Sequence, residues 1–150
     1  MKDLYGNEYI DTMRALLSDE RIRKMKDFRH HGNISTFDHS RRVARLSYIL
    51  NKCLSLKCDP DTLLLGAMLH DYYLYDWHSD DWEHGLHGFT HPETASKNAK
   101  EHFGVNGKTE NVIRTHMWPL DPTKIPRSRE AWLVCVADKL ASLRETVLGK

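Results

Sequence analysis

Leu63-Leu64-Leu65-Gly66-Ala67-Met68-Leu69-His70-Asp71 is apolar for seven residues and then ends in two ionisable ones. A surface helix keeps one polar face, so a stretch that is apolar all round suits a helix buried in the middle of a domain. Asp59-Pro60 marks its start, because proline fits the first helical position. The buried helix therefore carries His70 and Asp71 inward. An ionised carboxylate taken out of water without a partner costs several kcal/mol, so Asp71 needs a compensating charge.

Outward from that centre, apolar residues recur with the period of an amphipathic helix, and no segment shows convincing period-two alternation bounded by hairpin residues. The expected fold class is all-α, a single-domain bundle of about six to seven helices over residues 1–150. A first helix is expected from Gly6 to Leu17, with Tyr9, Met13, Leu16 and Leu17 inward. A short basic one follows from Glu20 to Phe28, with Met25 and Phe28 inward, and His31-Gly32-Asn33 breaks it. A longer helix from Thr36 to Leu54 places His39, Val43, Leu46 and Leu50 on one face. Trp77 to Thr90 reads as an ordered loop of acids, histidines, tryptophans and glycines. Thr90-His91-Pro92-Glu93 has capping-box spacing and predicts a helix from Thr90 to Phe103-Gly104. Thr109 is expected to cap the next, with Val112, Ile113 and His116 inward and Pro119 as its stop. A last helix runs from Ser128 to Leu148, with Ala131, Val134, Asp138, Ala141 and Glu145 along one side.

Composition narrows the function classes. Lysine plus arginine number 22 and aspartate plus glutamate 21, so no field of one sign attracts nucleic acid or an anionic membrane, and no nucleic-acid partner is expected. Three cysteines without C-x-x-C spacing give neither a disulfide framework nor a zinc-thiolate knuckle. With no apolar run long enough to span a membrane and no leader-like amino terminus, a cytoplasmic location is expected. The ten histidines are the departure from an ordinary composition.

Singly, a buried histidine or aspartate is most often a hydrogen-bonded core residue. Together, His39, His70, Asp71, His91, His116 and Asp138 lie at inward positions of five helices and call for a common charge compensator. A divalent cation supplies it, and a set of imidazoles and carboxylates without thiolate suits iron, manganese, zinc or nickel. Adjacent His70 and Asp71 point about 100° apart on a helix and can serve two ions, or one ion and its water.

The order His39, then His70-Asp71, then Asp138 resembles the H…HD…D pattern of the HD superfamily of metal-dependent phosphohydrolases. The resemblance runs from Gly32 to Glu145 and extends to local context: Thr36-Phe37-Asp38-His39-Ser40-Arg41-Arg42-Val43-Ala44, Gly66-Ala67-Met68-Leu69-His70-Asp71, and Val136-Ala137-Asp138-Lys139. His91 and His116 resemble the two further histidines of branches with a second metal. The resemblance implies one or two divalent ions, with magnesium added to the candidates. His39, His70, Asp71 and Asp138 would hold the first ion, and Asp71 would bridge to a second on His91 and His116. It also implies hydrolysis of a small phosphorylated substrate, a nucleotide foremost, by a metal-activated water, with Asp71 the catalytic carboxylate. The lysine that follows the HD pair in many relatives is absent from Asp71-Tyr72-Tyr73-Leu74-Tyr75-Asp76-Trp77-His78.

Candidate substrate contacts are the cations Arg42, Lys139 and Arg144, the rings of Trp77 and Trp118, and His78 as a general acid or an alternative ligand. Tyr73, Tyr75 and Trp82 are expected to wall the pocket, and His84 and His87 to be solvent-exposed loop residues. Two other readings fit the same ligand order: a mixed-valent diiron oxygenase, and a non-catalytic nucleotide-sensing module. An oligomer is possible.

Overall fold

Ser35, Asp59, Asn106 and Ser128 each accept the backbone N–H of the residue three positions on, and each stands just before a helix. The computed structural model describes residues 5–78 and 86–148. Within them the chain runs through α1 (Asn7–Ser18), α2 (Glu20–Arg23), a 3₁₀ turn (Lys24–Asp27), β1 (Arg29–His31), β2 (Ile34–Ser35), α3 (Thr36–Cys53), α4 (Pro60–Leu69), α5 (His87–Phe103), α6 (Gly107–Thr115) and α7 (Arg129–Leu148). The fold is all-α, with one short antiparallel hairpin. No helix among the described residues is long and apolar enough to cross a membrane.

The apolar segment around Leu64 forms α4, and Leu63, Leu64, Ala67, Met68 and Leu69 are fully buried. It packs between α3, α6 and α7. Gly66 permits the contact with α6, since a Cβ there would sit 2.6 Å from Cγ1 of Val112. Small residues let α3 pack closely too: its buried side is His39, Ser40, Val43, Ala44, Ser47, Tyr48 and Asn51, while Leu46 and Leu50 are only half-buried. That buried face is turned from the expected one, toward the side carrying the small residues.

Three local expectations are corrected. The break at Gly32 is a hairpin turn: Gly32 takes φ +55°, and a two-residue strand returns against β1. Pairs this short carry no readable alternation. Helix α5 begins at His87, not at a Thr90 cap, because the N–H groups of Phe89 and Thr90 both reach the Leu86 carbonyl. Helix α6 is capped by Asn106, whose Oδ1 accepts from the Thr109 N–H at 2.9 Å, so Thr109 lies inside the helix. The expected loop from Trp77 to Thr90 gives way to helix at His87. Its middle, with Trp82 and His84, lies outside the described residues.

Candidate metal centre

Five helices and the hairpin bring their polar residues to one buried point. His39 comes from the first turn of α3, His70 from the end of α4 with Asp71 beside it, His91 from α5, His116 from the end of α6 and Asp138 from the middle of α7. All six are buried. Donor atoms of His39, His70 and Asp71 lie within 4.8 Å of one another, as do those of His70, His116 and Asp138, and those of Asp71, His91 and His116.

The ring orientations suit the cluster to a cation. Nδ1 of His70 donates to the Ala67 carbonyl at 2.7 Å, Nδ1 of His91 to that of His87 at 2.8 Å, and Nδ1 of His116 to that of Ile113 at 2.6 Å. Nδ1 of His39 donates to Oε2 of buried Glu145 at 2.9 Å. The rings of His70, His91 and His116 are thus fixed in the tautomer whose Nε2 lone pair faces the centre, and His39 is held with Nε2 toward it, the arrangement of metal-ligating imidazoles held from behind by an oxygen. Nε2 of His91 and Nε2 of His116 face each other at 2.9 Å, where two lone pairs repel unless a cation or proton draws on both. Nε2 of His70 and Oδ1 of Asp71 are buried without a hydrogen-bond partner, unfilled valences that a shared cation would fill.

Asp71 divides the cluster in two. Its Oδ2 lies 3.4 Å from Nε2 of His70 and 3.9 Å from Nε2 of His39. Its Oδ1 lies 3.1 Å from Nε2 of His91 and 3.5 Å from Nε2 of His116. Oδ1 of Asp138 closes the first group, at 3.0 Å from His39 and 3.6 Å from His70. Burial opposes ionisation of both aspartates, but the surrounding imidazoles hold Asp71 and Asp138 well below the usual carboxylate range. Burial would likewise discharge His39, yet its hydrogen bonds to Asp138 and Glu145 lift its pKa to about 10 in the absence of an ion. The donors are nitrogen and carboxylate oxygen throughout, in two groups sharing one carboxylate, and they fit one or two divalent cations.

A cavity of 860 Å³ opens over this centre. Its floor includes His30, Asp71, His91, His116 and Asp138, and its rim Trp77, Leu86, Phe89, Met117 and Leu120. Lys139 is the one lysine or arginine among the described lining residues; its Nζ donates to the His116 carbonyl at 2.6 Å and lies 3.8 Å from Oδ2 of Asp138.

The other candidate contacts lie differently. Trp77 lines the cavity with its ring stacked on His87 at 4.5 Å and tilted against His78 at 3.7 Å, so it is a wall already packed by two rings. His78 turns its Nδ1 toward Oδ1 of Asp76, 3.5 Å away. Trp118 packs edge-on against Trp132 at 4.8 Å, outside the cavity lining. Arg42 pairs with Oε1 of Glu145 at 2.9 Å, and Arg42 and Arg144 both line a separate groove. Tyr73 bonds Thr36, and Tyr75 bonds His87. His87 is not a solvent-exposed loop residue: it starts α5, stacks on His91 at 4.5 Å, and burial pushes its pKa down to about 3.

Two residues escaped sequence reasoning. Glu145, legible only as an inward residue of α7, is the group that orients His39. His30 sits on the hairpin, 3.3 Å from Oδ2 of Asp71, where no helical period could signal it.

A family model described as the HD domain matches residues 36–143, more than two thirds of the chain. Searches of curated proteins and of solved structures give no match. The matched span opens with α3 and takes in all six clustered residues, and the chain belongs to the HD domain family.

Proposed function

We propose that this protein is a metal-dependent phosphohydrolase acting on a small phosphorylated metabolite. Membership of the HD family supports metal-dependent hydrolase chemistry. The observation that carries the reading is the set of four imidazoles, each tied at Nδ1 and turned with Nε2 toward Asp71 or Asp138, two of which, His91 and His116, line an open cavity together with both aspartates. A purely structural ion would be enclosed by its ligands, whereas this floor faces space for a ligand.

When bound, divalent ions supply Lewis acidity toward a phosphoryl oxygen and lower the pKa of water in the site. His39, His70, Asp71 and Asp138 would hold the first ion, and Asp71, His91 and His116 the second. Asp71, with one oxygen toward each group, is the catalytic carboxylate that orients the attacking water. Lys139 at the cavity wall is placed to offset charge on the phosphoryl group. One cation suits one phosphoryl group better than a triphosphate, and the apolar rim suits an attached apolar or aromatic group such as a nucleobase. A nucleoside monophosphate is the first substrate class to try.

The test is phosphate release by the metal-loaded chain from mono-, di- and cyclic nucleotides and apolar phosphomonoesters, beside Asp71→Ala. Turnover of at least one phosphoester, falling at least about 100-fold in the variant, is the expected result. Dioxygen uptake without phosphate release would replace this reading by the diiron oxygenase. Ion binding with neither activity would leave a sensing module.

A further inference from the structure

We propose that His30 is a seventh metal ligand, brought by the hairpin to the ion held by His39, His70, Asp71 and Asp138. The inference rests on the metal reading above and adds a residue that lies outside the matched family span.

On β1 the side chains alternate, with Arg29 and His31 exposed and His30 buried. Both ring nitrogens of His30 lack a hydrogen-bond partner among the described residues. Such a group is costly when left unsatisfied, so its neighbours should contain what fills it. Its neighbours include Asp71 and His39 of the first ion, and a donor atom of its ring lies within 4.8 Å of those of His39 and Glu145. Nδ1 lies 3.3 Å from Oδ2 of Asp71, the same oxygen that His70 and His39 approach at 3.4 and 3.9 Å, yet the contact lacks hydrogen-bond geometry. Ligands bonded at about 2.1 Å and set about 90–109° apart have donor atoms about 3.0–3.4 Å from one another. The 3.3 and 3.4 Å contacts of His30 and His70 have the spacing of groups converging on a common ion, and His39, at 3.9 Å, stands slightly wider.

The position is held firmly. The His30 ring stacks on His39 at 3.8 Å with 21° between planes, so sharing an ion with His39 requires it to tilt out of that stack. Thr36, the first residue of α3, closes the base of the hairpin, donating to the Phe28 carbonyl from its N–H at 2.9 Å and its hydroxyl at 3.1 Å. With His30 added, the first ion has five protein ligands while the second keeps three. Exchangeable positions for water and substrate are then concentrated on the ion of His91 and His116.

The test uses the full chain, stripped with chelator and titrated with Co²⁺, with affinity and visible absorption read for wild type, His30→Ala, His30→Phe and His31→Ala. His30→Phe keeps the ring and removes the donor, which separates ligation from packing. Both His30 variants should bind one Co²⁺ at least about 10-fold more weakly, with stronger absorption as its coordination number falls, and His31→Ala should match wild type. Wild-type affinity and spectrum in either folded His30 variant overturns the assignment. Failure of the wild-type chain to take up any ion overturns the metal reading itself, and this inference with it.

Discussion

Two cavities of similar size differ in what their walls lack. The groove between α1, α3 and α7 measures 1010 Å³ and is lined by Tyr5, Tyr9, Arg41, Arg42, Arg45 and Arg144 among others. Three of its arginines already have partners: Arg41 pairs with Asp38, Arg42 with Glu145, and Arg45 donates to the Tyr5 hydroxyl. None of its described lining side chains buries a polar atom without a partner. The cavity over the metal centre is smaller, at 860 Å³, yet His30 and Asp71 on its floor hold unfilled valences. Unsatisfied donors and acceptors on a cavity floor, more than volume, mark a place suited to a ligand, because burying them without a partner is costly.

The comparison breaks most visibly if chelation leaves stability unchanged. Ions that bind only the native chain add about 4 kcal/mol at about 1,000 times Kd. At this chain length that is a melting shift of roughly 8–16 °C, so stripping the metal-loaded protein with chelator should lower its melting temperature by that order. Glu145 offers a sharper cut, since its carboxylate joins the groove's Arg42 to the centre's His39. Glu145→Gln should weaken the first ion about 10–100-fold, measured by competition with a chromophoric chelator, whereas wild-type affinity would show that His39 needs no anionic support.

At the groove end, hydrogen bonds from Tyr48 and Lys52 lower the Glu8 pKa from 4.5 to about 2. A carboxyl group depressed in the folded state contributes stability that is complete above its unfolded pKa and is lost as pH falls through the folded one. Acid titration of the melting temperature between pH 5 and pH 2 should therefore be less steep in Glu8→Gln than in wild type, with the centre's own acid loss common to both. The smallest effect is expected from Arg144→Ala, an exposed groove residue: a stability change within about 0.5 kcal/mol by denaturant titration and unchanged phosphate release. A large loss of turnover there would move the substrate to the groove.

The sequence read most clearly where chemistry and period coincide. Seven apolar residues before His70-Asp71 announced a buried helix with charge at its end, and α4 is that helix. His39, His91, His116 and Asp138 were legible because each falls on an inward face, and a helix shows its inward face through spacing alone. Starts of α5 and α6 were less legible, since a capping pattern competes with neighbouring residues for the same N–H groups.

Periodicity says which side of a helix turns inward, but not what that side meets. Only the folded chain decided that Arg42 answers Glu145 and that Trp118 leans on Trp132. Only it packed Trp77 against His78 and His87, and set His30 beside Asp71. The residues capable of holding an ion were written in the sequence, because burial of charge restricts where they can stand. Their distances, tautomers and supporting oxygens came from helices packed across long chain separations, which no local pattern encodes.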